Sequence, residues 1–524
     1  MSVTPEGRPV VLLSHRAPVA FRRTPAGRVG RRGAGGLVSA LMGLAEHLED
    51  AVWICAAATL EDAAVAAEHE GAIEIAFEPE PRVLEEDEGT GGAPSFAVRY
   101  VEVDAEQHRQ FYTRIANPLL WFVQHGLYGL STAPVLTSET RAAFEDGYVA
   151  VNAQFAEAVV QEVQARGGRA IVMLHDYHFY LVGAEVRRRC PDAIITHFVH
   201  IPWPGADSWL ILPPDMRERI MTGLLGCDVV AFHTHRFARN FLECAQEILG
   251  LPVDHRAMTI RVGDRIVAAR SYPISVDVEA LETLARSPSV RRHQRAIETR
   301  FLSGGRQLLV RVDRTDPSKN IVRGFRAFSQ LLVDHPELLG RVTFLASLMP
   351  SRMDVPEYLD HLSDIGAVAA EVNARHHAEG WQPVDLRLQE DFAFAVAAYT
   401  RADVIVVNAV NDGMNLVAKE AVLVNERDGV LLLSETTGAH DELGEFAVTV
   451  HPFDIQQQAD AMYQALTMDV DERRKRLQLA ADVVRHNDVE RWLAAQLADI
   501  ERLQVAAGRR DDPDAPAAES GGYP

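Results

Sequence analysis

Short apolar, β-branched runs alternate along this chain with stretches whose apolar positions recur every three or four residues. Val10 to Leu13, Ala170 to Leu174, Ile194 to His200, Val229 to His233, Leu308 to Val312, Val342 to Ala346, Leu386 to Phe392, Val404 to Val407 and Val430 to Ser434 are such runs. They are short and, apart from the alternating Leu386 to Phe392, lack the polar alternation of half-exposed strands, so they predict strands buried on both faces. Helical spacing follows several of them, through Leu37, Leu41, Leu44 and Leu48, through Ile321, Phe325 and Phe328, and through Leu416, Val417, Ala421, Leu423 and Val424. Alternation of this kind predicts an α/β protein. Its 524 residues exceed what one core usually supports, and the pattern restarts around Tyr272-Pro273-Ile274-Ser275. The expected organisation is one α/β half over 1–273, a second over 274–484, a helix over 485–508, and a disordered tail over 509–524 rich in Asp, Pro, Ala and Gly. Asn487 with Glu490 reads as the capping box of the last helix.

Candidate chemistry gathers where strands end. Between the strand Val404–Val407 and the helix after it lies Asn411-Asp412-Gly413-Met414-Asn415-Leu416, with Glu420 two turns further in. The first N–H groups of that helix lack internal partners and favour an anion, whereas Asp412 and Glu420 suit hydroxyls. Together they suggest a phosphorylated sugar or a nucleotide sugar; the alternative is an acidic cap on a structural helix. Arg314 and Lys319, five apart in a loop opening a helix, could clamp a diphosphate or simply flank a turn. Near the start, Gly35 and Gly36 let a helix N-terminus approach an anion, with Arg16 beside it, although Val38 occupies the third glycine position of a dinucleotide fingerprint. His175-Asp176-Tyr177-His178 and His197 to His200 also end strands. They lack metal-motif spacing. Tyr112 and Trp121 read as core aromatics or as sugar-stacking faces.

Charge sharpens this picture. The net charge is −22, spread through the chain, which argues against nucleic acid or an anionic membrane as a partner. Any phosphate must then be met by a few placed cations. Only Lys319, Lys419 and Lys475 are lysines, and two of the three fall in the suspected phosphate motifs. The four cysteines show no pairing or finger spacing, and no apolar run suggests secretion or membrane spanning, so a cytoplasmic protein is expected.

In order along the chain, Ser14-His15-Arg16, Gly35-Gly36-Leu37, Leu120-Trp121, His175 to His178, His200-Ile201-Pro202-Trp203-Pro204, Arg314 to Lys319, Pro350-Ser351-Arg352 and Asp412 to Glu420 form a specific series. By these motifs the chain resembles the trehalose-6-phosphate synthase family of retaining glycosyltransferases over roughly residues 8–505. The resemblance implies two facing Rossmann-like domains (GT-B type) with a C-terminal helix packing back on the first. It also implies glucose transfer from a nucleotide sugar to glucose 6-phosphate, with no cofactor and no metal.

Residue by residue, it implies that Arg314 and Lys319 hold the donor diphosphate with the backbone at Met414, Asn415, Leu416 and Gly36. Asp412 would bind donor glucose hydroxyls, His200 the 6-hydroxyl side and Glu420 the ribose. Arg16, Tyr112 and Arg352 would hold the acceptor phosphate, with Asp176 and Trp121 on its sugar. Homo-oligomerisation is left open. Two departures stand out. The family often has Trp-x-Gly-Trp where this chain has Trp53-Ile54-Cys55-Ala56, and several segments, including Arg314 to Pro317, resemble the validoxylamine-forming branch that couples a GDP-cyclitol to an aminocyclitol phosphate. A silent sugar-phosphate sensor of the same fold is a further alternative. For the donor base, Glu390 and Asp391 offer carboxylates to the N1–H and N2–H₂ edge of guanine, so GDP-glucose is expected over UDP-glucose.

Overall fold

The structure is a computed structural model describing residues 8–25, 27–33, 38, 41–42, 50–69, 71–76, 82–83 and 95–510. Gly36 and the tail beyond 510 lie outside the described residues. Most of the strands in the first half, Val10–Leu13 (β1), Val19–Thr24 (β2), Gly27–Arg32 (β3), Ala51–Ala56 (β4), Ile73–Ala76 (β5), Arg82–Val83 (β6), Ser95–Val101 (β7), Ile171–His175 (β8), Ile194–Phe198 (β9), Val229–Phe232 (β10), Val253–Asp254 (β11), Thr259–Val262 (β12) and Arg265–Ser271 (β13), form one sheet. Its order is β11-β12-β13-β10-β9-β8-β1-β4-β7-β5-β6, parallel from β13 to β7, with β2 and β3 set apart as a hairpin. Gln307–Arg314 (β14), Val342–Met349 (β15), Val384–Leu388 (β16), Val404–Val407 (β17), Val430–Ser434 (β18) and Val448–Val450 (β19) form a second, wholly parallel sheet of order β16-β15-β14-β17-β18-β19. Apolar runs without alternation become strands buried on both faces, as at β1, β10 and β17.

Two corrections concern helix starts. The run read as a strand from Leu386 to Phe392 stops at Leu388, because the Asp391 carboxylate accepts the Phe394 N–H at 2.9 Å and caps a helix over Phe392–Arg401. The last helix spans Val489–Arg510. Its cap is Asp488, which accepts the Arg491 N–H at 2.9 Å, while Asn487 instead closes the preceding helix Val470–His486.

Packing joins the two sheets. One apolar cluster runs from Val10, Trp53 and Phe198 of the first sheet through Trp492, Leu497 and Ile500 of the C-terminal helix to Leu308, Val407 and Leu433 of the second. Trp492 meets Phe198 edge-on at 5.5 Å, so the last helix packs back on the first sheet. In the other direction, Val355 and Tyr358 of the second half are fully buried in a cluster built mainly from the first.

Gly413 and Gly438 mark a tight approach of three backbones. A Cβ there would overlap the carbonyl of His200, and a Cβ at Gly438 would overlap the Gly413 carbonyl. Only glycine lets these backbones meet. Gly413→Ala is expected to introduce about 1–3 kcal/mol of overpacking and to lower activity about 10- to 100-fold by prising His200 from Asp412. Gly366→Ala, in open space on a helix, is expected to raise Tm slightly. A thermal melt and an activity assay on both variants check this, and equal behaviour of the two would contradict it.

Candidate active site

Among its parallel strands each sheet reverses its strand order at one place, between β1 and β8 in the first and between β14 and β17 in the second. In open α/β sheets ligands bind at the carboxyl ends of the strands at such a point. Ser14-His15-Arg16 leaves β1, Asp176-Tyr177 leaves β8, Arg314 ends β14 and Asn408 to Asn415 leaves β17. Topology thus converges most of the predicted residues on one cleft.

Arginines crowd its floor. Arg352, just past β15, is held at φ 49° and lies 4.1 Å over the Trp121 ring, with Arg314 5.9 Å from the same ring. The Arg352 guanidinium donates to the Tyr177 hydroxyl at 3.0 Å and to the Tyr358 hydroxyl, and Tyr177 in turn donates to Asn117 Oδ1 at 2.7 Å. Asp316, fully buried, takes both Nε and Nη2 of Arg314 at 3.0 and 2.6 Å on one oxygen and has Arg352 3.5 Å from the other. Burial would raise the Asp316 pKa, yet Arg314, Arg352 and Lys319 hold it well below the usual carboxylate range. Arg16 opens into the same cleft, where desolvation and then the Arg314 charge push its pKa down. Its carbonyl accepts the Ser14 hydroxyl at 2.7 Å, and Ser14 accepts the buried Trp53 indole N–H at 2.8 Å. Tyr112 stacks 4.9 Å from His15 beside them.

Across the cleft Lys319 ion-pairs with Asp412 at 2.5 Å, and Asn415 Nδ2 donates to the same carboxylate at 3.0 Å. Desolvation opposes both charges, but their attraction prevails, raising the Lys319 pKa and lowering that of Asp412. Asn415, at φ 90°, turns its other side-chain atom to accept the Ala418 N–H at 3.2 Å and so caps the helix Leu416–Val424. Met414 is buried just ahead of it. Glu420 on that helix accepts the Tyr399 hydroxyl at 3.1 Å, and burial pushes its pKa up to about 7. Between the two sides stand Asp176 and His200. Asp176, at φ 74°, accepts the His200 backbone N–H at 3.3 Å and is pushed up to about 6 by burial. The His200 Nε2 meets His175 Nδ1 at 3.1 Å, and desolvation keeps both rings neutral.

Comparison with known proteins agrees with this layout. The model of glycosyltransferase family 20 matches residues 9–502. The chain belongs to glycosyltransferase family 20. This family-20 chain is 33% identical to a bifunctional trehalose-6-phosphate synthase/phosphatase of Thermoproteus tenax over 92% of its own length, and spans 62% of the length of that relative. It is 33% identical to a validamine 7-phosphate valienyltransferase of Streptomyces hygroscopicus subsp. jinggangensis over 76% of the chain and 78% of the relative. The crystal structure of a UDP-forming α,α-trehalose-phosphate synthase from Burkholderia xenovorans in complex with glucose 6-phosphate superposes with a TM-score of 0.76, at 26% identity over 94% of this chain and all of that one.

Not every predicted residue joins the cleft network. Glu390 is exposed, and Asp391 spends one oxygen on its helix cap while the other faces His293 at 3.5 Å. Lys419 is buried and tied to Glu442 at 2.6 Å and to the Ile274 carbonyl at 2.9 Å, so it fastens its helix to the segment after β13 instead of serving a phosphate. Conversely, sequence reading gave no role to Asp316, Tyr177 or Tyr358, and placed His175 only at the end of a strand. Asp316 was legible as the acid two residues after Arg314; the tyrosines needed the fold. Among the described residues no three His, Cys, Asp or Glu side chains converge as a metal-binding group, and no helix is long and apolar enough to cross a membrane.

Glu420 carries a pH signature. Its folded pKa lies above its ordinary value of 4.5, so the folded chain binds the extra proton and its contribution to stability falls as pH rises from about 4.5 to about 7. Carboxyl NMR is expected to give a Glu420 midpoint about 7, and Tyr399→Phe, which removes the hydrogen bond that lowers it, is expected to move the midpoint upward. A midpoint near 4.5 in either protein would contradict the burial argument.

Proposed function

We propose that this chain transfers glucose, with retention, from a nucleoside-diphosphate glucose to the anomeric hydroxyl of glucose 6-phosphate, giving α,α-trehalose 6-phosphate. One observation carries the reading: four cations line one cleft of a strongly acidic protein, Arg16, Arg352 and Arg314 on one side, the last two sharing Asp316, and Lys319 paired with Asp412 on the other, with Asp176 and His200 between the sides. Two phosphate-bearing substrates and one sugar junction need that arrangement. Alignment to the synthase relative over more of the chain than to the valienyltransferase supports the same choice.

In this reading Arg16, Tyr112 and Arg352 hold the acceptor phosphate and Asp176 its hydroxyls. Trp121, whose buried indole N–H has no partner among the described residues, donates to the acceptor sugar. Lys319, Arg314 and the backbone N–H groups at Met414, Asn415 and Leu416 take the donor diphosphate at a helix N-terminus. Asp412 accepts from the donor glucose, His200 serves its 6-hydroxyl side and Glu420 accepts from the ribose. The bond from C1 to the diphosphate oxygen breaks as the acceptor oxygen bonds to C1 on the same face, and the acceptor's proton passes to the departing diphosphate. Charge accumulates on that diphosphate, so cations already aimed at it stabilise the transition state more than the ground state. They do so without a cofactor or a resident metal. The donor is GDP-glucose, with Glu390 accepting from the guanine edge; Asp391 is engaged as a cap and contributes only its charge.

The test is kcat/KM for GDP-glucose and UDP-glucose with glucose 6-phosphate, in the wild type and in Glu390→Gln. GDP-glucose is expected to be preferred, and the variant is expected to lose about tenfold of that preference, the worth of one charge-assisted hydrogen bond. A preference for UDP-glucose would overturn the donor assignment. Absence of any disaccharide phosphate with either donor would overturn the transfer itself.

A further inference from the structure

Beneath the donor loops lies a charged group that the chemistry above does not use. Arg311 sits within β14 and is 1% exposed. Its Nε donates to Asp313 Oδ2 at 2.8 Å, and its Nη2 donates both to the Lys319 carbonyl at 2.6 Å and to Asn408 Oδ1 at 2.7 Å. The guanidinium occupies space left by Gly324 on the helix Ile321–Asp334, where a Cβ would stand 2.6 Å from Nη1. Lys319 ends the loop that follows Arg314 at the end of β14. Asn408 begins the turn that carries Asp412. One buried nitrogen therefore ties the roots of both loops whose tips meet in the Lys319–Asp412 ion pair.

The surrounding bonds extend the tie. Asn408 Nδ2 donates to Gln458 Oε1 at 2.7 Å. Asn320, at φ 59°, donates to the carbonyls of Asn408 at 2.9 Å and Pro452 at 2.7 Å. Val410 N–H donates to the Ser318 carbonyl at 2.8 Å. A buried guanidinium is costly to desolvate, and an apolar side chain of similar volume would pack β14 without that cost. What the charge adds is direction: a planar fork that fixes two carbonyl-type oxygens relative to each other.

We propose that Arg311 is a positioning residue for the donor diphosphate, setting the spacing of the Lys319 and Asp412 loops without touching substrate. This rests on the donor assignment made above. Its consequence is selective: loss of the fork disturbs the diphosphate site, while Arg16, Arg352 and Tyr177, which hang on other strands, keep the acceptor site.

The experiment titrates free GDP, UDP and glucose 6-phosphate into the wild type, Arg311→Lys and Asp313→Asn by calorimetry, with steady-state kinetics on the same proteins. Arg311→Lys keeps a buried cation but cannot reach Asp313, Lys319 and Asn408 together. It is expected to weaken nucleoside diphosphate binding about tenfold and to lower kcat about 30-fold or more, with glucose 6-phosphate affinity within about twofold of wild type, since misplaced positioning groups act mainly on the reacting geometry. Asp313→Asn, a milder change that preserves shape, is expected to move the same way by about threefold, and stands as the test if Arg311→Lys does not fold. Millimolar guanidinium is expected to restore part of the diphosphate affinity to Arg311→Ala. Unchanged diphosphate binding in the variants, or equal loss of both ligands, would overturn the inference while leaving the transfer reading in place. A wild type that binds glucose 6-phosphate but neither diphosphate would overturn the donor assignment and the inference with it.

Discussion

Repulsion among arginines is the constraint around which the cleft is arranged. The guanidiniums of Arg314 and Arg352 both lie within 6 Å of the Trp121 ring centre, hence no more than about 10 Å apart, and at an effective dielectric of about 20 they repel by at least about 1.7 kcal/mol. Arg16 adds a third charge, and its pKa falls through desolvation first and then through the Arg314 charge. The buried Asp316 carboxylate offsets this repulsion, chelating Arg314 and standing close to Arg352. The phenols of Tyr177 and Tyr358 accept further hydrogen bonds from Arg352, so the cations are aimed before an anion arrives.

The same economy appears on the donor side, where Lys319 and Asp412 neutralise each other across the turn. A diphosphate would give Lys319 a second anion, and Asp412 retains an oxygen for sugar hydroxyls. Both halves of the machinery stand at strand-order reversals, and the two reversals are brought face to face by the missing Cβ of Gly413 against His200, by Tyr358 buried in the first half's core and by the C-terminal helix packed through Trp492. Reaction geometry and domain packing are therefore one problem in this fold.

Much of this was legible in the sequence, for identifiable reasons. Strands buried on both faces leave unbroken apolar runs, so β1 and β17 read with their observed bounds and β10 read one residue too long, through His233. Residues at the carboxyl ends of such strands, among them Arg16, Asp176, Arg314 and Asp412, stand out because polar residues follow apolar ones abruptly. Where the local signal is ambiguous the reading failed: Leu386, Leu388 and Phe392 share strand spacing, but the Asp391 cap starts a helix, which also changes what that carboxylate can do. Lys419 shows the limit of motif reasoning. It sits in the phosphate motif by number, yet its ammonium is paired with Glu442 and the Ile274 carbonyl. Partners such as Tyr177 and Tyr358 for Arg352, distant in sequence, could not be read at all.

The central claim is that Asp316 stands in for an anion that the arginines are built to hold. Thermal unfolding of wild type and Asp316→Asn, each with and without saturating glucose 6-phosphate, tests it most directly. Removing one partner of a buried charge cluster costs about 3–5 kcal/mol, so the variant should melt well below wild type when free. Because the proposed acceptor phosphate would neutralise Arg352 and Arg16 beside Arg314, the account predicts a markedly larger rise in Tm on ligand addition for the variant than for the wild type. An equal or smaller rise would show that Asp316 serves the backbone fold alone and would contradict the account.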